Sequence, residues 1–387
     1  MSSKLPEALE LASPPDLSQP LKNPTRAKTA AGEFGYQRVR LADGLSEGVE
    51  LLLIETDQVR AAICPTRGMS LWKANINGLN CGWNSAVEGP VHPNYVAVHE
   101  GNGLGWLSGF DELLVRCGLQ SFGAPDFDDN GQLLYPLHGR IGNLPARNVD
   151  IRIDNEHSLL EVSGEVLEVR FLQFNLRLKA KYVFAIGTPT IAIHDTVTNH
   201  SGTATTAQML YHVNVGRPLL EEGSKAYVGA KKAVARNAHA ATDVSSWDTY
   251  LAPKAGYEEQ VYFFAGESDD QGWAKAMLSN KSGDKGFAVH YQTDTLPFFT
   301  QWKNTVAESD GYVTGLEPGT GFPNPRSFEE TKGRLINLPP GESVEFQLRL
   351  EAMSSSAEVA ARAKDIQSQS GGKLETAEFD GDWCTPR

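Results

Sequence analysis

Between Phe174 and Phe184 every second residue is apolar. Phe174, Leu176, Leu178, Ala180, Tyr182 and Phe184 alternate with Asn175, Arg177, Lys179 and Lys181 over the first eight positions. A period of two describes a strand with one face on a core, and a helix would scatter these side chains around its circumference. The signature recurs at Val149, Ile151 and Ile153, and at Ile191, Ile193 and Val197, where Asp195 interrupts the apolar face. It returns at Val344, Phe346, Leu348 and Leu350, after a Pro339-Pro340-Gly341 turn. Residues 48–56 and Val59–Cys64 add two more strands, and Asn77-Gly78 is a tight-turn signal. One helix stands out: Ser355 and Glu358 form a capping box, Val359, Ala363 and Ile366 make its stripe, and Gly371-Gly372 ends it. No strand–helix–strand alternation occurs, which excludes doubly wound and α/β-barrel architectures. The expectation is an all-β protein, one large antiparallel β-sandwich with few short helices. It would span residues 32–353, after an N-terminal arm (1–31) and before a C-terminal helix and tail (354–387).

The chain has 387 residues, enough for a large core. No apolar run approaches the ~20 residues of a membrane span. The start lacks an apolar stretch before its first prolines, which argues against a secretory signal and for the cytoplasm. A formal charge of −13 argues against nucleic acid and anionic membrane as partners. The four cysteines (Cys64, Cys81, Cys117, Cys384) form no CxxC pair, so they read as reduced core fillers. Oligomeric state leaves no mark in the sequence.

Candidate chemistry centres on residues 315–321, Gly-Leu-Glu-Pro-Gly-Thr-Gly, which read as a turn-rich patch fixing the direction of Glu317. His138 lies in a Pro- and Gly-punctuated segment; the plain alternative is a structural histidine bonding a loop carbonyl. His212 shares one strand face with Gln208 and Leu210, opposite Met209, Tyr211 and Val213; that face lines a cleft or meets solvent. Gln301-Trp302-Lys303 offers an amide, an aromatic face and a cation in succession, types that sugar sites use; otherwise Trp302 is core. Arg67 ends a strand, as a surface residue or a ligand contact. Residues 72–119, rich in Gly, Trp and Asn, read as loops that carry binding groups or form an inert layer.

Five segments in order resemble the aldose 1-epimerase (galactose mutarotase) superfamily, in its mutarotase-like branch. They are Arg67-Gly68-Met69, residues 137–146 around His138 and Arg140, residues 210–216 around His212, Phe299-Thr300-Gln301-Trp302-Lys303, and Gly315-Leu316-Glu317-Pro318. The resemblance implies a β-supersandwich with an open cleft and a carbohydrate mutarotase that interconverts the α and β anomers of a sugar by ring opening. It implies Glu317 as base, His212 as acid, His138 as second active-site histidine and Arg67 as sugar-binding arginine. Arg140, Gln301, Trp302 and Lys303 follow as substrate-binding residues of this branch. The family's substrate-binding aspartate has no matching counterpart, since Asp243 and Asp248 lie in unlike surroundings.

The chemistry needs no cofactor or metal, only a carboxylate base and an imidazole acid. At pH 7 an ordinary glutamate (~4.3) is ionised, whereas a histidine (~6.5) needs a raised pKa, which a neighbouring carboxylate would supply. Two other readings share these residues: a sugar-binding protein without turnover, and a metal site built from His138, His212 and Glu317.

Overall fold

The computed structural model describes residues 2–3, 5–371 and 374–385; Gly372, half of the expected helix stop, lies outside them. Two large sheets, antiparallel except at two edge pairings, face each other. One has nine strands and includes Ala146–Asp154, Leu159–Arg170, Phe174–Ala185, Thr190–Asn199 and Ser343–Met353. The other has fifteen, running through Glu33–Leu41, Glu50–Glu55, Val59–Cys64, Ser70–Ile76 and Leu114–Leu119 to Thr205–Val215, Val313–Gly319, Phe298–Asn304, Gln260–Gly266 and Ala230–Ala235. The β-sandwich expected from the alternation is present.

The strand Phe174–Ala185 buries every second residue along its whole length. Its inner face meets Ile63, Leu71, Met209, Tyr211, Val213 and Leu316 of the opposite sheet in one continuous core. Burying each such side chain is worth roughly 1.5–3 kcal/mol against leaving it in water. Asn77 and Gly78 both take positive φ and join Ser70–Ile76 to Leu79–Cys81, as a two-residue hairpin requires. The helix Ser356–Gln369 opens with Ser355 accepting from the Glu358 amide at 3.3 Å, and Glu358 accepting from the Ser354 amide at 3.2 Å. Val359 and Ile366 are its buried positions. The expected N-terminal arm joins the larger sheet, where Leu9–Leu11 and Thr25–Lys28 pair with Glu33–Leu41, and Leu17 and Leu21 are buried against Val39, Leu51 and Trp72. All four cysteines are buried. No helix among the described residues is long and apolar enough to cross a membrane.

Asp195, the interruption in the alternating pattern, faces inward and meets Arg116 from the other sheet. Arg116 Nε and Nη2 donate to its two oxygens at 2.5 and 3.0 Å, and the Tyr211 hydroxyl donates to it at 2.8 Å. Arg116 Nη1 donates to the Met69 carbonyl at 2.6 Å. Both charged side chains are fully buried, so this pair ties the two sheets through the core.

Residues 315–321 depart from expectation. Val313–Gly319 is no turn but a wholly buried strand in the middle of the larger sheet. It pairs on one side with the strand of His212 and on the other with that of Trp302. Proline normally argues against a central strand because it gives the ladder no N–H. Here Pro318 sits next to the strand's end, and Gly319 beyond it pairs with both Leu210 and Phe298.

Candidate active site

Three adjacent strands set the site. Val213 lies across from Leu316, and Thr300 and Trp302 lie across from Glu317 and Gly315. Because side chains alternate, this register brings His212, Glu317, Thr300 and Trp302 to one face of the sheet. They line a cleft of about 310 Å³ whose walls include Trp106, Phe110, Leu137, His138, Arg236 and Glu259.

His212 Nε2 lies 3.3 Å from Glu317 Oε1, and both side chains are almost completely buried. Aromatic rings enclose them: Phe110 and Trp302 stand 5.0 and 5.5 Å from the His212 ring, and His138 meets it edge-on at 5.2 Å. Burial pushes Glu317 well above the usual carboxylate range, with Glu259 adding to the shift and Arg236 opposing it. Burial likewise pushes His212 well below the usual imidazole range, and His138 adds to this. The ionised glutamate and raised histidine expected from the sequence are therefore reversed. Loss of water moves each group toward its uncharged form, a protonated carboxyl on Glu317 and a neutral imidazole on His212.

His138 has φ +57 and Gly139 φ +68, a double left-handed turn. A side chain at 139 would overlap the carbonyls of Ser121 and Gly118, so only glycine fits. His138 Nδ1 lies 2.8 Å from the Phe122 carbonyl. That oxygen can only accept, so Nδ1 carries the proton and Nε2 is left as an acceptor. Burial pushes His138 down to about 4, which keeps it neutral.

Gly315 makes the central contact possible. A Cβ there would overlap Glu317 Oε1 and stand 3.1 Å from His212 Cε1, so the carboxylate occupies the space a side chain at 315 would need. Gly315→Ala is expected to displace Oε1 from His212, and a reaction that depends on this contact would slow about 10²-fold, the usual cost of misplacing a reacting group by an ångström. Steady-state rates measured beside a thermal-unfolding curve check this; unchanged turnover in a folded variant refutes the close-packing account.

Other expected residues lie elsewhere. Arg67, read as sugar-binding, is fully buried and does not line the cleft. It donates to Glu112 at 2.6 Å, to Asn143 Oδ1 at 2.9 Å, and to the carbonyls of Val91 and Gly109 at 3.0 and 2.9 Å. A buried charge needs such partners. Through Gly109 and Asn143, Arg67 supports the turn bearing Trp106 and the one following His138. Gln301 and Lys303 flank Trp302 in sequence and so point to the opposite face. There Gln301 donates to the Tyr250 hydroxyl at 2.8 Å and Lys303 to the Thr249 carbonyl at 2.7 Å. Arg140 is half-buried and lies outside the cleft lining; its amide donates to the Gly118 carbonyl at 3.1 Å.

Arg236 and Glu259 line the cleft and were not singled out from the sequence; Trp106 and Phe110 also line it, from the 72–119 region read as carrying binding groups, as does Thr300 from the segment of Trp302. Thr300 was recoverable by stepping two residues back from Trp302. Arg236 and Glu259 come together only through the pairing of the strands that they flank. Asp243 accepts from Gln260 at 2.7 Å and is not part of the lining, whereas Glu259, which falls between His212 and Glu317 in chain order, is. Among the described residues no group of three or more His, Cys, Asp or Glu is placed to hold a metal.

The sequence matches over residues 46–352 the family described as a domain of unknown function, DUF4432. A structure from Klebsiella pneumoniae, provisionally named an aldose 1-epimerase, is 34% identical with a TM-score of 0.86, covering 90% of this chain and 91% of that one. A galactose mutarotase-like protein from Clostridium acetobutylicum is 12% identical (TM-score 0.57; 83% and 98% covered). A protein from Escherichia coli K12, provisionally named an aldose 1-epimerase, is 13% identical (TM-score 0.52; 79% and 100%). These last two likenesses bear on the fold alone. A search of curated proteins finds no match.

Proposed function

We propose, from the premise that this chain belongs to the DUF4432 family and has the fold of galactose mutarotase-like proteins, that it interconverts sugar anomers by opening and reclosing the hemiacetal ring. The observation that carries this reading is the His212–Glu317 pair, 3.3 Å apart and buried at the wall of an aromatic cleft.

A sugar hydroxyl donating to Glu317 favours its ionised form, and the proton then passes to His212. The Glu317 carboxylate removes the proton from the anomeric hydroxyl as C1=O forms and the bond from C1 to the ring oxygen breaks. That oxygen takes its proton from His212. After rotation about C1–C2, the new hydroxyl attacks the other carbonyl face, returning its proton to His212 while the carbonyl oxygen takes one from Glu317. Atoms and charge balance, and the pair ends as it began. His138 supplies an acceptor to a sugar hydroxyl, and Trp302 a flat apolar face for the ring's C–H side.

Saturation-exchange NMR over a panel of aldoses tests the reading: wild-type protein should speed anomer exchange of at least one sugar. Binding without acceleration on every sugar would leave a carbohydrate-binding protein instead. The pH profile is a second check. The active pair holds one proton, and a second must go onto His212, whose pKa lies well below 6.5. Hence kcat/KM should stay level as pH falls through 6.5 and break only well below it. A break at 6.5 would mean an ordinary imidazole is titrating.

A further inference from the structure

Although Arg67 is withdrawn, the cleft does contain a guanidinium, brought from another part of the chain. Arg236 follows the strand Ala230–Ala235, and Glu259 precedes its partner Gln260–Gly266. The Arg236 amide donates to the Val261 carbonyl at 3.0 Å, which sets the two strand ends side by side. Arg236 Nη2 donates to Glu259 Oε1 at 2.8 Å, and the Trp302 indole N–H donates to Glu259 Oε2 at 2.6 Å. Both charged side chains are partly open, 32% and 42% exposed, and both line the cleft that holds His212 and Glu317.

We infer that Arg236 and Glu259 form a subsite for two neighbouring ring hydroxyls, holding the sugar against Trp302 while its anomeric end faces Glu317 and His212. This rests on the anomer-exchange reading. Each Glu259 oxygen accepts one hydrogen bond and keeps a further lone pair. Among the described residues, Arg236 Nε and Nη1 carry no protein hydrogen bond. A donor and an acceptor fixed side by side match a vicinal diol, since one hydroxyl gives a proton to Glu259 while the next accepts from Arg236. The indole N–H bond to Glu259 fixes the plane of Trp302, so platform and polar pair move as one unit.

The same pair discriminates against charge. Arg236 is already neutralised by Glu259, so a carboxylate or phosphate on the ligand would compete for the guanidinium and meet Glu259 itself. A fixed like charge of this kind excludes a wrong ligand more effectively than added attraction selects the right one. Glu259 flanks the approach, and the histidines offer no compensating cation because burial favours their neutral forms.

The test uses the full chain with Arg236→Gln, Arg236→Lys and Glu259→Gln, the neutral aldose the wild type prefers, and the uronic acid of the same ring. Calorimetric Kd and NMR exchange rates are measured together. Arg236→Gln should raise Kd and KM for the neutral sugar about tenfold or more with a smaller change in kcat, and Arg236→Lys should recover part of the loss. Glu259→Gln frees the guanidinium and should shift the ratio of uronic acid to neutral sugar affinity about tenfold toward the acid. Unchanged Kd and KM in Arg236→Gln, or an unchanged ratio in Glu259→Gln, overturns the subsite while anomer exchange stands. A wild type that binds neither sugar overturns both.

Discussion

Glu317→Gln is expected to lower the rate of anomer exchange about 10²–10⁴-fold, the usual contribution of one positioned proton-transfer group. Glutamine keeps the shape and fills the space over Gly315, so the substitution removes the titrating oxygen without opening a hole. The loss should appear in kcat, with Kd for the sugar nearly unchanged, because His138 and Trp302 remain in place. Stability should move the other way. Burial raises the Glu317 pKa well above its reference value of 4.5, so the folded protein holds this proton more tightly than the unfolded chain. The stability linked to it is present below about 4.5 and is lost as pH rises through the folded value. Glutamine cannot ionise. Urea unfolding should therefore find the variant comparable to wild type near pH 4 and more stable than wild type at high pH. Full activity in the variant would remove Glu317 from the reaction, and a parallel pH dependence of stability would show that its carboxyl is not raised by burial.

Asp195→Ala is expected to destabilise the protein by about 3–5 kcal/mol, the cost of leaving one partner of a buried ion pair alone. Its carboxylate accepts from Arg116 twice and from Tyr211 once, entirely out of water. Removing it strands a guanidinium in the core between the sheets. Most of the penalty is that uncompensated charge, so Arg116→Met combined with Asp195→Ala should cost clearly less than the two single changes added together. Denaturant midpoints for the four proteins close the cycle. Additive losses would mean that the two side chains act independently. Arg116 lies across from Tyr211 in the ladder, one residue from His212, so a loosened pair should also lower turnover.

Much of the sandwich was legible because alternation is a local property: whichever residues flank Phe174–Ala185, a strand with that pattern must bury one face. The helix was legible for a similar reason, since Ser355 and Glu358 satisfy each other's neighbourhood within one turn. That His212 and Glu317 belong to one site was also readable, through the segments around them, although Glu317 was placed on a turn. Pro318 and the glycines around it favour a turn in isolation. Pairing on both sides turned that stretch into a central strand, a long-range gain that no local rule registers. The triplet Gln301-Trp302-Lys303 failed differently. Its three side chains were read as one surface, yet a strand sends neighbours to opposite faces, and only Trp302 reaches the cleft.

From the sequence alone followed the all-β class, the inward face of each alternating strand, and the two residue types at the centre of the cleft. Tertiary structure decided the rest: Arg67 became internal support, Arg236 and Glu259 became cleft residues, and burial favoured the uncharged forms of the central pair. The physical reason is that ionisation and exposure depend on what surrounds a group in space. Water exclusion around Glu317 and His212 is supplied by Phe110, Trp106 and Trp302, from segments far apart in the chain. Those aromatic neighbours exist only once the sheets have formed.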